Sequence, residues 1–590
     1  MTDFIDHIVG LTADSRAVKK GYLFAALPGT RFNGRDFIDQ AILNGATHIL
    51  APKGTLIRHD VTMIESDNPR REFALMAAKF YKVRPAHIVA ITGTNGKTSV
   101  ADFIRQIFEM AGLKSASLGT LGLVSQTVKG ENKMTTPDPV KLHALLADLK
   151  AAGVNHLALE ASSHGLHQYR LDGIRPQVVA FTNLSQDHLD YHETMEEYFN
   201  AKQRLFDDIM PADGYAVVNI DDEYGQRLRH KQLTYGQNKD AALRLVSHTP
   251  TAEGQDIEIS YRDKIYAIHL PFIGLFQAYN ALCAAGCCLM LGMESDFIFD
   301  CLAKLKGVSG RMQLAASRNG RAAYIDYAHT PDALEKVLTA LRPHVRGKLV
   351  CVFGAGGDRD KGKRSQMGKI VSALADHVIV TDDNPRSEKP DAIRNEILSA
   401  CPQAENIGDR RQAIARGVDL LQDGDVLLVA GKGHEQGQTI GDVTHPFDDL
   451  TEQQRTWSVN QLQSTYMNAD NCNEIMRDCS PALFIVRSGV FDLKGKDGTL
   501  VERLEQGDLF GYPSLLSGRA IVNTLQCIED GIVYVLPQVA FDKLRNQSRA
   551  FERYFINAHG ERLLTERRGK TAGYDDYDWT EQRVEDVIQR

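Results

Sequence analysis

The chain has 590 residues, 43% of them apolar and 24% charged, with a formal net charge of −8. That length is too great for a single core and calls for about three or four domains of ordinary soluble composition. A negative balance with no long basic run gives no reason for nucleic acid or an anionic membrane as partner, so a polyanionic substrate must meet local positive charge.

Residues 1–10 are acidic and lack the basic and apolar regions of a secretory signal, and no apolar run is long enough to span a bilayer. A cytoplasmic protein is expected. Nine cysteines are scattered without a C-x-x-C pair, and Cys287 and Cys288 are adjacent in an apolar helical stretch. That pattern points to reduced structural thiols rather than zinc. Residues 1–84 alternate short strands with helical patterns and close on an amphipathic run over 71–81. Asp14-Ser15-Arg16 and residues 20–25 precede a Gly-containing loop at 28–34, as in a small α/β module with a polar ligand loop.

Residues 88–101 read IVAITGTNGKTSVA. Four apolar residues form a buried strand, the loop Gly93-Thr94-Asn95-Gly96-Lys97-Thr98 turns tightly, and Val100, Phe103, Ile104 and Ile107 follow at helical spacing. Such a loop aims backbone N–H groups and a helix N-terminus at phosphate, while the lysine adds charge and the threonine hydroxyl can hold magnesium. The longer pattern GxxxxGK[ST] would need glycine where Ile91 stands, so the match is to the shorter GTxGKT.

From 85 to 307 strands and helices alternate, which predicts a mainly parallel sheet with helices on both faces and ligands beyond the strand ends. The strand at 156–160 ends in Glu160, a hard-oxygen candidate for magnesium. The strand at 178–183 leads into Asp187, His188, Asp190 and His192, for which metal ligands, general bases and a polar loop all stay open. A third block from 308 to 463 repeats the βα pattern. Its strand ends carry Asp326-Tyr327-Ala328-His329, a glycine-rich loop ending Asp358-Arg359-Asp360, Asp382-Asp383-Asn384-Pro385-Arg386, and Gly431-Lys432-Gly433-His434-Glu435. One edge with two arginines and several carboxylates suits a zwitterionic ligand.

Taken together, the ordered motifs DSR, GTNGKT, MTTPDP, EASSHGL, TNLSQDHLDYH, DYAHTPDALE, FGAGGDRDKGKR, DNPR and GKGHE, spread over residues 10–450, resemble the Mur ligases, ATP-dependent amide-forming enzymes of peptidoglycan precursor synthesis. The resemblance implies a three-domain α/β architecture: residues 1–84 bind the UDP-substrate, 85–307 form a central phosphate-loop domain with a parallel sheet, and 308–463 form a Rossmann-like domain for the incoming amino acid. It implies ATP and Mg2+ as cofactors, a monomeric ligase part, and small-molecule substrates, a UDP-muramoyl dipeptide and meso-diaminopimelate. The amide would form through an acyl phosphate.

Position by position, the resemblance gives Gly93, Thr94, Asn95, Gly96, Lys97, Thr98 and Ser99 to the ATP phosphates, Asn280 to the adenine side, and Arg311 and Asp326 to the nucleotide from the third domain. Thr98 and Glu160 would be magnesium ligands and His188 a ligand of a second magnesium. Lys202 matches a lysine that the family carbamylates, although periodicity alone makes it an exposed helical lysine. Lys97, Glu160, His188 and Lys202 form the catalytic set. Ser15, Thr135, Thr136, Ser162, Gln168 and Arg170 match positions for the UDP-muramoyl dipeptide. Arg359, Asp383, Asn384, Pro385, Arg386, Gly431 and Glu435 would make the amino-acid pocket, where the Arg386 guanidinium suits the extra carboxylate that separates diaminopimelate from lysine. The same DNPR tetrapeptide at Asp67-Asn68-Pro69-Arg70 reads as a turn and helix start. Lysine-adding members, a folylpolyglutamate synthase, and a vestigial ligase in a nucleotide-responsive regulator are the alternatives. Intact Lys97, Glu160, His188 and Lys202 argue against the last.

After Ser464 the pattern becomes all-β. Five short strands at 483–487, 490–493, 499–504, 525–529 and 533–536 are expected, separated by Ser-Gly, Asp-Gly and similar turns, with helices from Gln538 and Ala550. This extension, residues 464–590, resembles part of a cyclic-nucleotide-binding β-roll whose first helix and strand are missing between 464 and 480. Tyr512-Pro513 follows Phe510-Gly511 where a ribose-binding glutamate is usual, and Arg519 follows a shortened loop, so no cyclic-nucleotide binding is expected. Residues 583–590 resemble the opening of a CBS domain, as in a ligase fused to a signalling-protein fragment.

Overall fold

The computed structural model describes residues 3–29, 32–56, 58–128, 135–251, 254–318, 320–459, 463–467, 482–495, 498–506, 508–511, 524–538 and 541. By internal contacts the chain divides into two units, one of Met1–Ala413 with Leu421–Phe447, the other of Ile414–Leu420 with Asp448–Arg590.

The first unit opens with a four-stranded parallel sheet in spatial order β1 (Gly10–Thr12), β2 (Tyr22–Ala25), β3 (Ala46–Pro52), β4 (Thr62–Ser66). The helix Pro69–Tyr81 lays Phe73, Met76 and Ala77 against Leu23, Ala25 and Leu50. Asn68 caps it, its side chain accepting from Arg71 N at 3.1 Å, and Pro69 takes the first turn, where its missing N–H costs nothing. The first DNPR copy is therefore a helix start.

Ten strands make the central sheet: β5 (His87–Thr92), β6 (Ser115–Gly119), β7 (Gly122–Ser125), β8 (His156–Glu160), β9 (Val178–Phe181), β10 (Tyr215–Asn219), β11 (Leu233–Gly236), β12 (Leu243–Pro250), β13 (Gln255–Tyr261) and β14 (Lys264–Leu270). Their order is β14-β13-β12-β11-β10-β9-β5-β8-β6-β7, parallel from β12 to β6, with antiparallel pairing at both edges. β5 explains the apolar run at its start. Val89 and Ile91 face helices Lys97–Met110 and Leu275–Met290, while Ile88 and Ala90 face helices Pro139–Ala151 and Met195–Arg204, so both faces are covered.

The third sheet runs β15-β16-β20-β17-β18-β19, from β15 (Gln313–Arg318), β16 (Arg321–Asp326), β17 (Leu349–Phe353), β18 (His377–Val380), β19 (Glu405–Asn406) and β20 (Val426–Ala430). All its pairs but β15·β16 are parallel, and a hairpin of β21 (Gly437–Ile440) and β22 (Val443–Pro446) follows. Glu160, Asp326 and the loops after β5, β9, β17, β18 and β20 all lie at carboxyl ends of parallel strands, where such sheets bind ligands.

In the second unit the helix Asp449–Val459 precedes a five-stranded antiparallel sheet of β23 (Gln463–Met467), β24 (Ala482–Lys494), β25 (Leu500–Leu504), β26 (Leu509–Phe510) and β27 (Thr524–Pro537). Phe484, Val486, Phe491, Leu504, Phe510, Leu525 and Val533 fill its core. Two expectations are corrected here. Ser488-Gly489 and Asp530-Gly531 are not turns: β24 and β27 run through them, with register shifts between Val486 and Phe491, because the two irregular stretches face each other across the ladder. A strand that the sequence pattern does not predict, β23, stands at the start of the stretch expected to lack one and pairs with β27 from Gln463↔Val535 to Met467↔Gly531, while 468–481 lie outside the described residues. Tyr512, Pro513, Arg519, residues 583–590 and the helices expected from Gln538 and Ala550, apart from 538 and 541, lie outside the described residues.

Candidate active site

The glycine loop is shaped by close approach. A Cβ on Gly93 would lie 1.9 Å from Thr182 Oγ1, and one on Gly96, at φ +87°, would lie 2.3 Å from Asn280 Oδ1. Lys97 folds back over the loop and donates to Gly93 O at 2.9 Å and Thr94 O at 2.7 Å. Thr98 Oγ1 accepts from Arg311 Nη2 at 2.9 Å, while Ser99 is buried in the first turn of the helix. Arg311 lies 4.4 Å from the centroid of the Tyr327 ring. Asp326 accepts from Met312 N at 2.6 Å and Ala328 N at 2.7 Å; burial pushes its carboxyl up, against the pull of Arg311. Asn280 Nδ2 donates to Gln277 Oε1 at 3.0 Å. The third block reaches the loop itself, since Asp332 Oδ2 accepts from Asn95 Nδ2 at 3.0 Å and from Ser185 Oγ at 3.1 Å.

Lys202 corrects its sequence reading. Helical periodicity exposes it, yet it is 1% exposed, with its ammonium donating to Gly93 O at 2.8 Å and 4.3 Å from the Tyr198 ring centroid. Its hydrogen-bond partner, Gly93, lies on another element, so the helix pattern cannot register it. Burial, then the neighbouring charge of Lys97, pushes its pKa well below the usual lysine range. His188 sits at φ +55° beside Asp187, its ring nitrogen Nε2 3.4 Å from Asp187 Oδ2. Burial lowers the His188 pKa to about 3, helped by His164, Lys202 and Lys97. Burial works to raise the Asp187 carboxyl, but His188, His329 and Lys363 outweigh it and hold it down. Lys363 Nζ stands 3.8 Å from Asp187 Oδ1.

Glu160 is 2% exposed and accepts from Thr120 N at 2.8 Å and Thr120 Oγ1 at 3.1 Å. Its charge is felt by Lys97, whose pKa burial lowers and Glu160 raises. Thr120 Oγ1 lies 3.3 Å from Thr135 Oγ1. Thr136 Oγ1 donates to Glu160 O and accepts from Ser162 N at 3.2 Å and Ser162 Oγ at 3.0 Å. Arg170 reaches Thr136 O at 2.9 Å and Gln168 Oε1 at 2.6 Å. Five of the six residues matched to the UDP-substrate thus form one network. Ser15 stands apart in the first sheet's domain, donating to Gln40 Oε1 at 2.9 Å.

After β18 and β20 the loops close on each other. Asn384 Nδ2 donates to Glu435 Oε2 at 2.9 Å, and Asn384 Oδ1 accepts from Lys432 Nζ at 3.0 Å and Thr439 N at 2.9 Å. Arg386, at φ +52°, donates to Gly357 O at 2.7 Å. A cavity of about 850 Å³ is lined by Thr120 and Thr135 on one side and by Tyr327, Asn384, Arg386, His434 and Glu435 on the other. Asp383, Pro385 and Gly431 do not line it: Gly431 packs on Asp383, and Pro385 O on Gly357. Arg359 also lies outside its lining, 3.7 Å from Asp190 Oδ2. Sequence reasoning left Thr120, Thr439, Lys363 and Lys432 without a role. For Lys432 a signal was present, a lysine between two glycines directly after an apolar strand.

Profiles for three Mur ligase domains match in chain order: the Mur ligase family catalytic domain at residues 7–90, the Mur ligase middle domain at 91–288 and the Mur ligase glutamate ligase domain at 310–433. A UDP-N-acetylmuramoyl-L-alanyl-D-glutamate–2,6-diaminopimelate ligase of Caulobacter vibrioides is 52% identical over 458 residues, 75% of this chain and 94% of the relative. The chain belongs to the Mur ligase family. A ligase of the same description from Brucella melitensis is 49% identical over 455 residues, 75% of this chain and 93% of that one. A solved structure carrying that description shares 33% identity at a TM-score of 0.57, over 76% of this chain and 94% of its own. The Mur ligase fold is shared more widely: a MurF ligase of Thermotoga maritima, solved in complex with ADP, is 22% identical at a TM-score of 0.52, over 73% of this chain and 95% of that one. As a Mur ligase, this chain is an ATP-dependent ligase of peptidoglycan precursor synthesis. A cyclic nucleotide-binding domain profile matches residues 474–548, within the second unit. No helix among the described residues is long and apolar enough to cross a membrane.

Proposed function

We propose that this Mur ligase adds meso-diaminopimelate to UDP-N-acetylmuramoyl-L-alanyl-D-glutamate in the cytoplasm, acting as a monomer, with residues 1–84, 85–307 and 308–463 serving the UDP-substrate, ATP and amino acid. The observation that carries the reading is the cavity that faces Thr120 and Thr135, beside buried Glu160, with Asn384, Arg386 and Glu435. A carboxylate is a poor electrophile, so the γ-carboxylate of the D-glutamyl end first takes the terminal phosphoryl group of ATP. The amine of the incoming amino acid then attacks the acyl phosphate, and phosphate leaves.

In this reading Lys97 and Arg311 hold the phosphates in line, which is where most of the barrier reduction in phosphoryl transfer arises. The Thr135, Thr136, Ser162, Gln168 and Arg170 network holds the muramoyl dipeptide, with Ser15 at the uridine end. Arg386 pairs the distal carboxylate of diaminopimelate and Glu435 its ammonium, with Asn384 between them; Asp383, Pro385 and Gly431 shape the loops behind, and Arg359 approaches from the rim.

Thr98, Glu160 and His188 fit a magnesium ion in the chemistry of their donors. Among the described residues no three His, Cys, Asp or Glu side chains converge as a metal site. When bound, magnesium supplies charge neutralisation on the phosphates. Lys202, its pKa lowered by burial and by the neighbouring Lys97, is the amine from which a carbamate would form. No cyclic-nucleotide binding is assigned to the second unit.

The test is phosphate release with ATP, magnesium and the UDP-muramoyl dipeptide, comparing meso-diaminopimelate with L-lysine, in the full chain and in one ended at Ser464. Strong preference for diaminopimelate, lost in Arg386→Ala at a cost of about 2–4 kcal/mol for an unpaired carboxylate, is expected from both chains. Equal rates with lysine would overturn the assignment.

A further inference from the structure

Lys432 lies between Gly431 and Gly433 at the end of β20, and its side chain is fully buried. Its ammonium donates to Asn384 Oδ1 and to Glu435 Oε2, each at 3.0 Å. Thr439 N donates to the same Asn384 oxygen, so two donors fix the amide with its carbonyl turned to Lys432 and its Nδ2 turned to Glu435. Glu435 Oε2 in turn takes both Lys432 and Asn384, whereas Oε1 meets only the distant Tyr327 hydroxyl at 3.4 Å among these contacts. Asn384 and Glu435 line the cavity, and Lys432 does not. A buried cation that holds two side chains of a cavity wall without touching the cavity is placed to set the wall's polarity.

We propose that Lys432 is a positioning residue for the incoming amino acid: it locks the Asn384 amide in one orientation and occupies one oxygen of Glu435, so that Oε1 is presented to a substrate ammonium. The inference rests on the amino-acid pocket proposed above. Without Lys432 the buried Asn384 oxygen keeps one donor, the amide is free to turn over, and the half-buried Glu435 carboxylate loses its nearest cation. A buried acceptor left short of a partner weakens binding by about 10- to 100-fold. The phosphoryl-transfer step, made by Lys97 and Arg311 on other loops, does not draw on these contacts.

The experiment compares wild type with Lys432→Met, which keeps the stem and removes the charge. KM and kcat are measured for ATP, UDP-muramoyl dipeptide and meso-diaminopimelate. Acyl phosphate formation is read separately by trapping with hydroxylamine as the hydroxamate, without amino acid. The expected result is a KM for diaminopimelate raised about 10- to 100-fold, with unchanged KM for ATP and retained hydroxamate formation. An unchanged KM for diaminopimelate would overturn the proposal. Where Lys432→Met loses hydroxamate formation too, Lys432→Gln, neutral but able to donate, decides: a selective rise in the diaminopimelate KM supports the positioning role, and parallel loss of both steps overturns it. If wild type itself takes L-lysine in place of diaminopimelate, the functional reading fails, and the same KM comparison made with lysine still tests Lys432.

Discussion

Lys202 carries an ammonium taken out of water and set beside the cation of Lys97, with both lysines donating to the carbonyl of Gly93. Each cation makes the other costlier, and the balance falls on Lys202, the more buried of the two. An amine with a depressed pKa is neutral over more of the physiological range, and only that unprotonated form has the lone pair to attack the carbon of carbon dioxide, losing a proton as the carbamate forms. Protein stripped of carbon dioxide is expected to lose turnover and recover it with bicarbonate, in phosphate-release assays. Because the neutral form grows as pH rises through the lowered pKa, recovery should be slower at lower pH; a response independent of bicarbonate would count against the modification. The resemblance points to Lys202, but none of these contacts is legible in the helix pattern itself. Lys202 sits 109 residues from Gly93 in sequence, and a helix pattern reports only the residue's neighbours on its own turn. Lys97 was legible because its partners are carbonyls of the loop that contains it.

The strand, glycine loop and helix from β5 to Lys97–Met110 form the element most fully written in local sequence. Apolar run, tight turn and helical spacing all fall within a few residues, and each agrees with the others. Gly96 shows why the turn tolerates no side chain: at φ +87° an L-residue is strained, and its Cβ would press on the Asn280 carbonyl oxygen. Gly96→Ala is expected to destabilise the protein by about 1–2 kcal/mol from the left-handed backbone alone, seen as a lower denaturation midpoint, and to raise KM for ATP by shifting Asn280. The second unit shows the opposite case. Ser-Gly and Asp-Gly are strong turn signals in isolation, but in β24 and β27 they oppose one another and are absorbed as irregularities of one long ladder. Local signals lose when long-range pairing gives both irregularities the same place.

At the scale of the first unit, the three blocks are legible as repeats of strand and helix, whereas the contacts between them are not, since nothing in DYAHTPDALE tells which loop Asp332 will meet. Those contacts form a chain. Thr98 of the phosphate loop takes Arg311, Arg311 lies on the Tyr327 ring, and the Tyr327 hydroxyl lies 3.4 Å from Glu435. Gly310, next to Arg311, approaches the backbone of Gly433 and His434 so closely that a Cβ there would come within 2.2 Å of His434 N. One arginine therefore touches the phosphate loop while Gly310 beside it packs on the loop of Gly433 and His434. Two side chains, Arg311 and Tyr327, thus bridge loops of different sheets, and replacing either is expected to change the setting of both loops.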